Sequence, residues 1–236
     1  MTEHIVTSFD TDLSTLNRHL MEMGRLVDSA FVQCIEALLR QNASAGAEVI
    51  RQDLEIDALE TKIEEEAIQI IVRRQPLAID LRDIIAALRT ASDLERIGDL
   101  AKNIAKRARV LDHSALPVDL SDRLEQMASL AHKQLHQVLL AYAERDAGKA
   151  IEIRDNDGEI DILHTSFFKE SIAQIANTYK NVAGITHLLF CAKNIERIGD
   201  HIANISENVY FIATGHLPAE QRRKLDESSS VVGNTP

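Results

Sequence analysis

Little in this chain interrupts a helix. Of its 236 residues only nine are glycine and four are proline. The usual punctuation of turn-rich and strand-rich folds is therefore scarce, and long unbroken helices are the first expectation. No apolar run is long enough to span a bilayer. The opening MTEHIVTSFD lacks the basic flank and apolar stretch of a secretory signal, so a cytoplasmic protein is expected. Only two cysteines occur, Cys34 and Cys191, each alone among apolar neighbours, and both read as buried, inert thiols. Positive charge is short too. Lys and Arg total 26 against 37 Asp and Glu, a formal charge of −11, which argues against a general nucleic-acid binder. Hydrophobic residues, at 45%, suffice for a packed core, and the acidic excess leaves cation binding open.

Apolar residues recur at helical spacing almost throughout. A first helix is predicted from about Asp12 to Gln41, with Leu13, Leu16, Leu20, Met23, Val27, Ala30, Cys34 and Leu38 as its stripe. The turn formers Asn42 to Gly46 break it, and a second helix follows to about Arg74, with Val49, Ile56, Leu59, Ile63, Ala67 and Ile70 inward. Gln75-Pro76 stops that helix, because proline removes a donor and restricts the residue before it. The third runs from about Leu77 to Leu111. A polar stretch, Asp112 to Ser121, is the expected boundary, with Asp119 or Ser121 available as a cap. Three more helices are predicted: about Ser121 to Arg145, Ala147 to Thr178 and Val182 to Thr214, with Gly215 as a stop. The remainder is polar and is expected to be frayed.

The string ERIGD begins at Glu95 and again at Glu196. Asp53-Leu-Glu-Ile-Asp57 likewise matches Asp157-Gly-Glu-Ile-Asp161, with the corner before the third helix three residues longer in the first copy. The implied architecture is all-α: two tandem, pseudo-symmetric three-helix bundles, residues 1–113 and 114–216, followed by a polar tail, 217–236.

The duplicated positions carry acid-x-x-x-acid pairs. The second helix of each half has Asp53 with Asp57, then Asp157 with Asp161; the third has Glu95 with Asp99, then Glu196 with Asp200. Residues four apart share one helical face. Like charges so placed are mildly destabilising on a surface, by roughly 0.2–0.5 kcal/mol, and more so when partly buried. On a helical wheel these acids border the apolar arc, so ridges on adjacent helices can converge on one cation. Carboxylate oxygens suit magnesium, manganese, calcium or oxidised iron. A single such pair is ordinarily solvated surface; four pairs at repeated positions favour metal. Arg96 and Arg197 are competitors for the acids, and the wheel puts them on the wetter side, with surface ion pairs as their expected role. Gly98 and Gly199 fall inside the apolar arc, where glycine costs about 1 kcal/mol relative to alanine, and close approach of a neighbouring helix is the expected reason.

These features, with the corner RRQPLAIDLR from Arg73 to Arg82, LERIGD followed by NIA, and IERIGDH followed by NI, resemble the PhoU family of bacterial phosphate-uptake regulators. The resemblance runs from Thr7 to about Leu217. It implies a cytoplasmic, dimeric, all-helical protein with one multinuclear metal site per bundle. Carried over residue by residue, it makes Asp53, Asp57, Glu95 and Asp99 ligands of one site, and Asp157, Asp161, Glu196 and Asp200 ligands of the other. Asn103 and Asn204 are weaker candidates. His164 and His201 adjoin the second ridge where the first copy has Glu60 and Leu100, which would make the sites unequal. The function implied is negative regulation of the phosphate-starvation response, between a phosphate ABC transporter, through its ATPase, and a sensor histidine kinase.

Rival readings come from the residues themselves. A ferritin-like di-iron enzyme also places carboxylates in a bundle, but needs Glu-x-x-His on two helices; only Asp161-Ile-Leu-His164 approaches it. A metal-free scaffold would use the acids as salt-bridged surface. A DNA-binding repressor is disfavoured by the charge. With no apparent nucleophile–base pair, the expectation is a protein that is not an enzyme. Arg73, Arg74 and Arg82, near a helix start, are candidates to hold an anion or to pair with acids.

Overall fold

A computed structural model describes residues 2–111, 117–178, 181–220, 222 and 224–231, the side chains of 2–8, 78 and 178 excepted. Seven helices follow in order: α1 (Thr2–Arg40), α2 (Ala43–Arg74), α3 (Ala78–Ala108), α4 (Val118–Glu144), α5 (Ala147–Asp155), α6 (Gly158–Thr178) and α7 (Val182–Thr214), with a 3-10 turn at Ser228–Ser230. They make six rods, because α5 and α6 together form the fifth. The bundle boundary predicted at 113/114 lies outside the described residues.

Local chemistry sets the rod ends. Asn42 caps α2 by accepting from the Ala45 N–H at 3.1 Å, and Asp146 caps α5 by accepting from Lys149 N–H at 2.9 Å. Gln75 ends α2 in the left-handed region, φ 47°, just before Pro76. Gly215 does the same for α7 at φ 85°.

Three expectations need correction. The fifth helix is not continuous: Asn156 and Asp157 form a turn between α5 and α6. The sequence there is Asn-Asp-Gly, three residues that favour turns, and Gln134 Nε2 donates to the freed Asn156 carbonyl at 3.2 Å. α4 starts at Val118 behind Pro117, with no side-chain cap, and Ser121 Oγ donates instead to the Pro117 carbonyl. The start of the polar tail is ordered against the second bundle, through contacts described below.

The predicted stripe of α1 is the core. Leu16, Leu20, Met23, Val27, Ala30, Cys34 and Leu38 are buried, as are Val49, Ile56, Ile63, Ala67 and Ile70 of α2. α1, α2 and α3 pack on one another; α4, α5, α6 and α7 form the second group; α3 lies along α7 and joins the two. One apolar cluster runs through both bundles. Both cysteines are buried, and burial pushes the Cys191 thiol up to about 12.

Two glycines seat the rods. A Cβ on Gly98 would stand 3.1 Å from Ile56 Cδ1; one on Gly199 would stand 2.9 Å from Ile160 Cδ1 and 3.1 Å from Asp157 Oδ1. Ile56 and Ile160 occupy equivalent places in the repeat. In each bundle the glycine of ERIGD thus admits an isoleucine of the acid-bearing helix, which draws the two acid rows together.

Candidate metal centres

In the first bundle α2 carries Asp53, Asp57 and Glu60, and α3 carries Glu95 and Asp99. Asp53 is buried, Glu60, Glu95 and Asp99 are half-buried, and Asp57 is exposed. The rows meet through a residue the sequence reading did not single out. Lys102 Nζ lies 2.7 Å from Asp53 Oδ2 and 2.6 Å from Asp99 Oδ1, bridging α2 and α3. Arg96 approaches from the exposed side, 3.4 Å from Glu95 Oε2 and 3.7 Å from Asp99 Oδ2, so its expected surface pairing is what the structure has.

The electrostatics record a surplus of negative charge. Glu95 is pushed up to about 7, first by burial and then by the charges of Asp99, Glu60 and Asp57, with Arg96 opposing. Burial and Asp53 raise Asp57; burial and Glu64 raise Glu60. Asp99 moves the other way. Burial works against its charge, but the Lys102 hydrogen bond and charge outweigh it and hold the carboxyl low.

The second bundle brings Asp157, Asp161, Glu196 and Asp200 together, and here the first three are buried. Asp157 sits in the turn between α5 and α6, Asp161 on α6, the other two on α7. Their partners differ from those of the first bundle. Arg222 Nη2 donates to Asp200 Oδ1 at 2.5 Å, and its Nη1 lies 3.1 Å from Asp157 Oδ2. Lys224 donates to Asp200 Oδ2 at 2.8 Å, and Leu225 N–H donates to Asp161 Oδ2 at 2.7 Å. Lys193 Nζ stands 2.8 Å from Glu196 Oε2 and 3.0 Å from Asp226 Oδ2. Burial, opposed by Arg222 and reinforced by Asp161 and Asp200, pushes Asp157 up to about 6; burial also raises Glu196, against Lys193.

The other candidates fall elsewhere. His164 is buried beside the second cluster, 3.2 Å from Asp226 Oδ1. His201 Nδ1 lies 2.9 Å from Asp93 Oδ1, to which Asn204 also donates, so both residues serve the α3–α7 seam. Asn103 is exposed. The arginine corner does not converge: Arg74 bonds Asp12 at 2.9 Å, while the Arg82 guanidinium sits 5.5 Å from the centre of the Phe211 ring.

Among the described residues, no group of three or more His, Cys, Asp or Glu side chains stands in metal-holding geometry. The donor chemistry nevertheless fits. All eight acids offer hard oxygens, and in the second cluster the buried Asp157 Oδ2 and Glu196 Oε2 each meet a cation, Arg222 Nη1 at 3.1 Å and Lys193 Nζ at 2.8 Å. Carboxylates buried this deeply need positive charge beside them, and here side-chain cations supply it.

Comparison with known proteins follows the repeat. The PhoU domain matches twice, over residues 20–108 and 124–209. The phosphate-specific transport system accessory protein PhoU homolog of Rhizobium meliloti is 44% identical over 228 residues, covering 97% of this chain and 96% of that protein. Its counterpart in Caulobacter vibrioides is 39% identical over 226 residues, covering 96% and 98%. The crystal structure of PhoU from Pseudomonas aeruginosa superposes with a TM-score of 0.85 at 30% identity, over 88% of this chain and all of that one. The Streptococcus pneumoniae phosphate transport system regulatory protein PhoU gives 0.82 at 29%, over 90% and 100%. With a matching domain in each bundle and relatives this similar over nearly their whole length, the chain belongs to the PhoU family.

Proposed function

We propose that this protein is a phosphate-transport accessory protein that restrains the phosphate-starvation response when phosphate is plentiful. It acts without catalysis, in the cytoplasm, between the ATPase of a phosphate ABC transporter and a sensor histidine kinase. The observation that carries the reading is the near-complete match to curated accessory proteins of phosphate-specific transport. Among the described residues no helix is long and apolar enough to cross a membrane, which agrees with a peripheral role beside a membrane complex. A homodimer is part of the proposal, supported by Leu54, Ile68 and Val72, exposed apolar side chains along the outer side of α2.

Each carboxylate cluster is proposed to hold magnesium, manganese or iron. Asp53, Asp57, Glu95 and Asp99 would ligate in the first bundle; Asp157, Asp161, Glu196 and Asp200 in the second. A bound ion would supply positive charge that neutralises the acid rows and locks two helices together. The chain's own residues do the rest: Gly98 and Gly199 let the helices approach, and Lys102 holds Asp53 and Asp99 aligned while the acids face one another. The metal-free scaffold is the second reading, favoured by the same Lys102 bridge, which already spans the first cluster. Excess acid over built-in cation, expressed in the raised Glu95 and Asp57, weighs for the metal.

Deleting the gene tests the regulatory assignment. Phosphate-starvation genes should switch on in phosphate-rich medium and return to repression on complementation; unchanged repression in the deletion strain would count against it.

A further inference from the structure

The two bundles neutralise equivalent acids by different means. Lys102 of the first bundle corresponds in the repeat to Ala203, so the second bundle has no lysine at that position. For Asp157 and Asp200, the equivalents of the acids Lys102 holds, the cations come instead from the chain beyond α7: Arg222 on both, and Lys224 on Asp200. A second difference makes room for them. Leu54 of the first bundle corresponds to Gly158, where an added Cβ would stand 2.8 Å from Leu225 Cδ1. The tail also carries its own acid, and the second bundle receives it. Asp226 meets Lys193 at 3.0 Å and His164 at 3.2 Å, residues whose counterparts in the first bundle are Ser92 and Glu60. Upstream, Arg154 Nη2 donates to the Glu220 carbonyl, and downstream the Glu227 N–H donates to Thr165 Oγ1 at 3.0 Å. Four positions of the second bundle therefore depart from the first in ways that fit one segment.

We propose that Arg222, Lys224, Leu225 and Asp226 form a strap that occupies the second carboxylate cluster as a tethered competitor for cations. The first cluster, bridged from within by Lys102, loads metal without moving the tail; the second loads it only when the strap lets go. This rests on the metal reading above and adds to it an order of loading and a reporter of occupancy, the position of the tail. Every contact the strap makes to the four acids is one an incoming cation would replace: the guanidinium on Asp157 and Asp200, the ammonium on Asp200, and the Leu225 amide on Asp161. Asp157 Oδ2, buried and 3.1 Å from Arg222 Nη1, is among the oxygens the strap covers, while buried Glu196 Oε2 is held by Lys193 of α7 at 2.8 Å.

The test uses the whole chain with its first cluster disabled by Glu95→Gln and Asp99→Asn, and Mn2+ as the probe. Binding is compared for the full chain, a chain ending at Ala219, and Arg222→Ala/Lys224→Ala, the last guarding against a truncation that fails to fold. A strap closed nine-tenths of the time lowers apparent affinity about tenfold, so both tail variants should bind Mn2+ at least about tenfold more tightly. A synthetic peptide of the tail from Glu220 to Val231 should reverse the gain. Amide exchange at Leu225, bonded to Asp161 in the closed form, should speed up when Mn2+ is added to the full chain. Equal Mn2+ affinity in all three chains, with Leu225 exchange unmoved, overturns the strap while leaving the metal reading intact. No Mn2+ on any of them, and none on the unmutated chain, overturns both.

Discussion

Lys102 Nζ reaches from α3 to within 2.7 Å of Asp53 Oδ2 on α2, and the carboxylate it meets is buried. That contact is the first bundle's internal counter-charge. It fixes the separation of the two acid rows while leaving Asp57, Glu60 and Glu95 without a cation of comparable closeness.

Removing Lys102 should expose the tension it relieves. Lys102→Ala leaves Asp53 buried and uncompensated, costing the metal-free protein about 1–3 kcal/mol, a fall in melting temperature of roughly 3–10 °C. Saturating Mn2+ should restore most of that loss, giving a larger thermal shift than in the unmutated chain. Equal thermal shifts in the two proteins would show that lysine and metal do not share the cluster.

The pH dependence follows from Glu95. Its ordinary value of 4.5 applies to the unfolded chain, against about 7 in the fold. Between these the folded form binds a proton that the unfolded form has lost. Stability of the metal-free protein therefore falls as pH rises from about 4.5 to about 7 and then levels. Asp157, pushed from 3.8 to about 6, adds a slope of the same sign at lower pH. Glu95→Gln should flatten the upper part and raise stability at about pH 8 by on the order of 1–3 kcal/mol. Urea unfolding in chelator across this range measures it; an unaltered slope in the variant would contradict the assignment.

Gly98 and Gly199 should not tolerate bulk. Leucine at either position overlaps Ile56 or Ile160 and should destabilise by roughly 1–3 kcal/mol. Gly199→Leu should also reduce Mn2+ uptake by the second bundle, since Asp157 Oδ1 lies in the path of the new side chain. Differential scanning calorimetry with metal analysis separates the two effects.

Cys34 and Cys191 should be silent in the folded state. Burial raises both thiols, so alkylation should proceed only as fast as the chain opens. Labelling within seconds under native conditions would refute this.

Much of this was legible in the sequence. The apolar stripes of α1 and α2 mapped onto buried residues because helical periodicity reports a core face directly. Gly98 and Gly199 betrayed close helix contact because glycine at those places had no local justification. Lys102 carries no such signal: one lysine three residues after an acid is common on any helix, and only packing shows that it also meets Asp53. The break at Asn156–Asp157 was written in turn-forming residues but outweighed by a repeat whose first copy runs straight through. The tail's order has no sequence signature, because its contacts are ion pairs and backbone bonds to residues 22 to 66 positions away, which leave no periodic trace.

The central claim is that each bundle gathers one set of carboxylates around cations. Metal-to-protein ratio under saturating Mn2+ tests it most directly, in the unmutated chain, Asp57→Ala/Asp99→Ala and Asp161→Ala/Asp200→Ala. The account predicts folded variants that each lose the metal of their own bundle and keep that of the other. Ratios unchanged in both variants would contradict it.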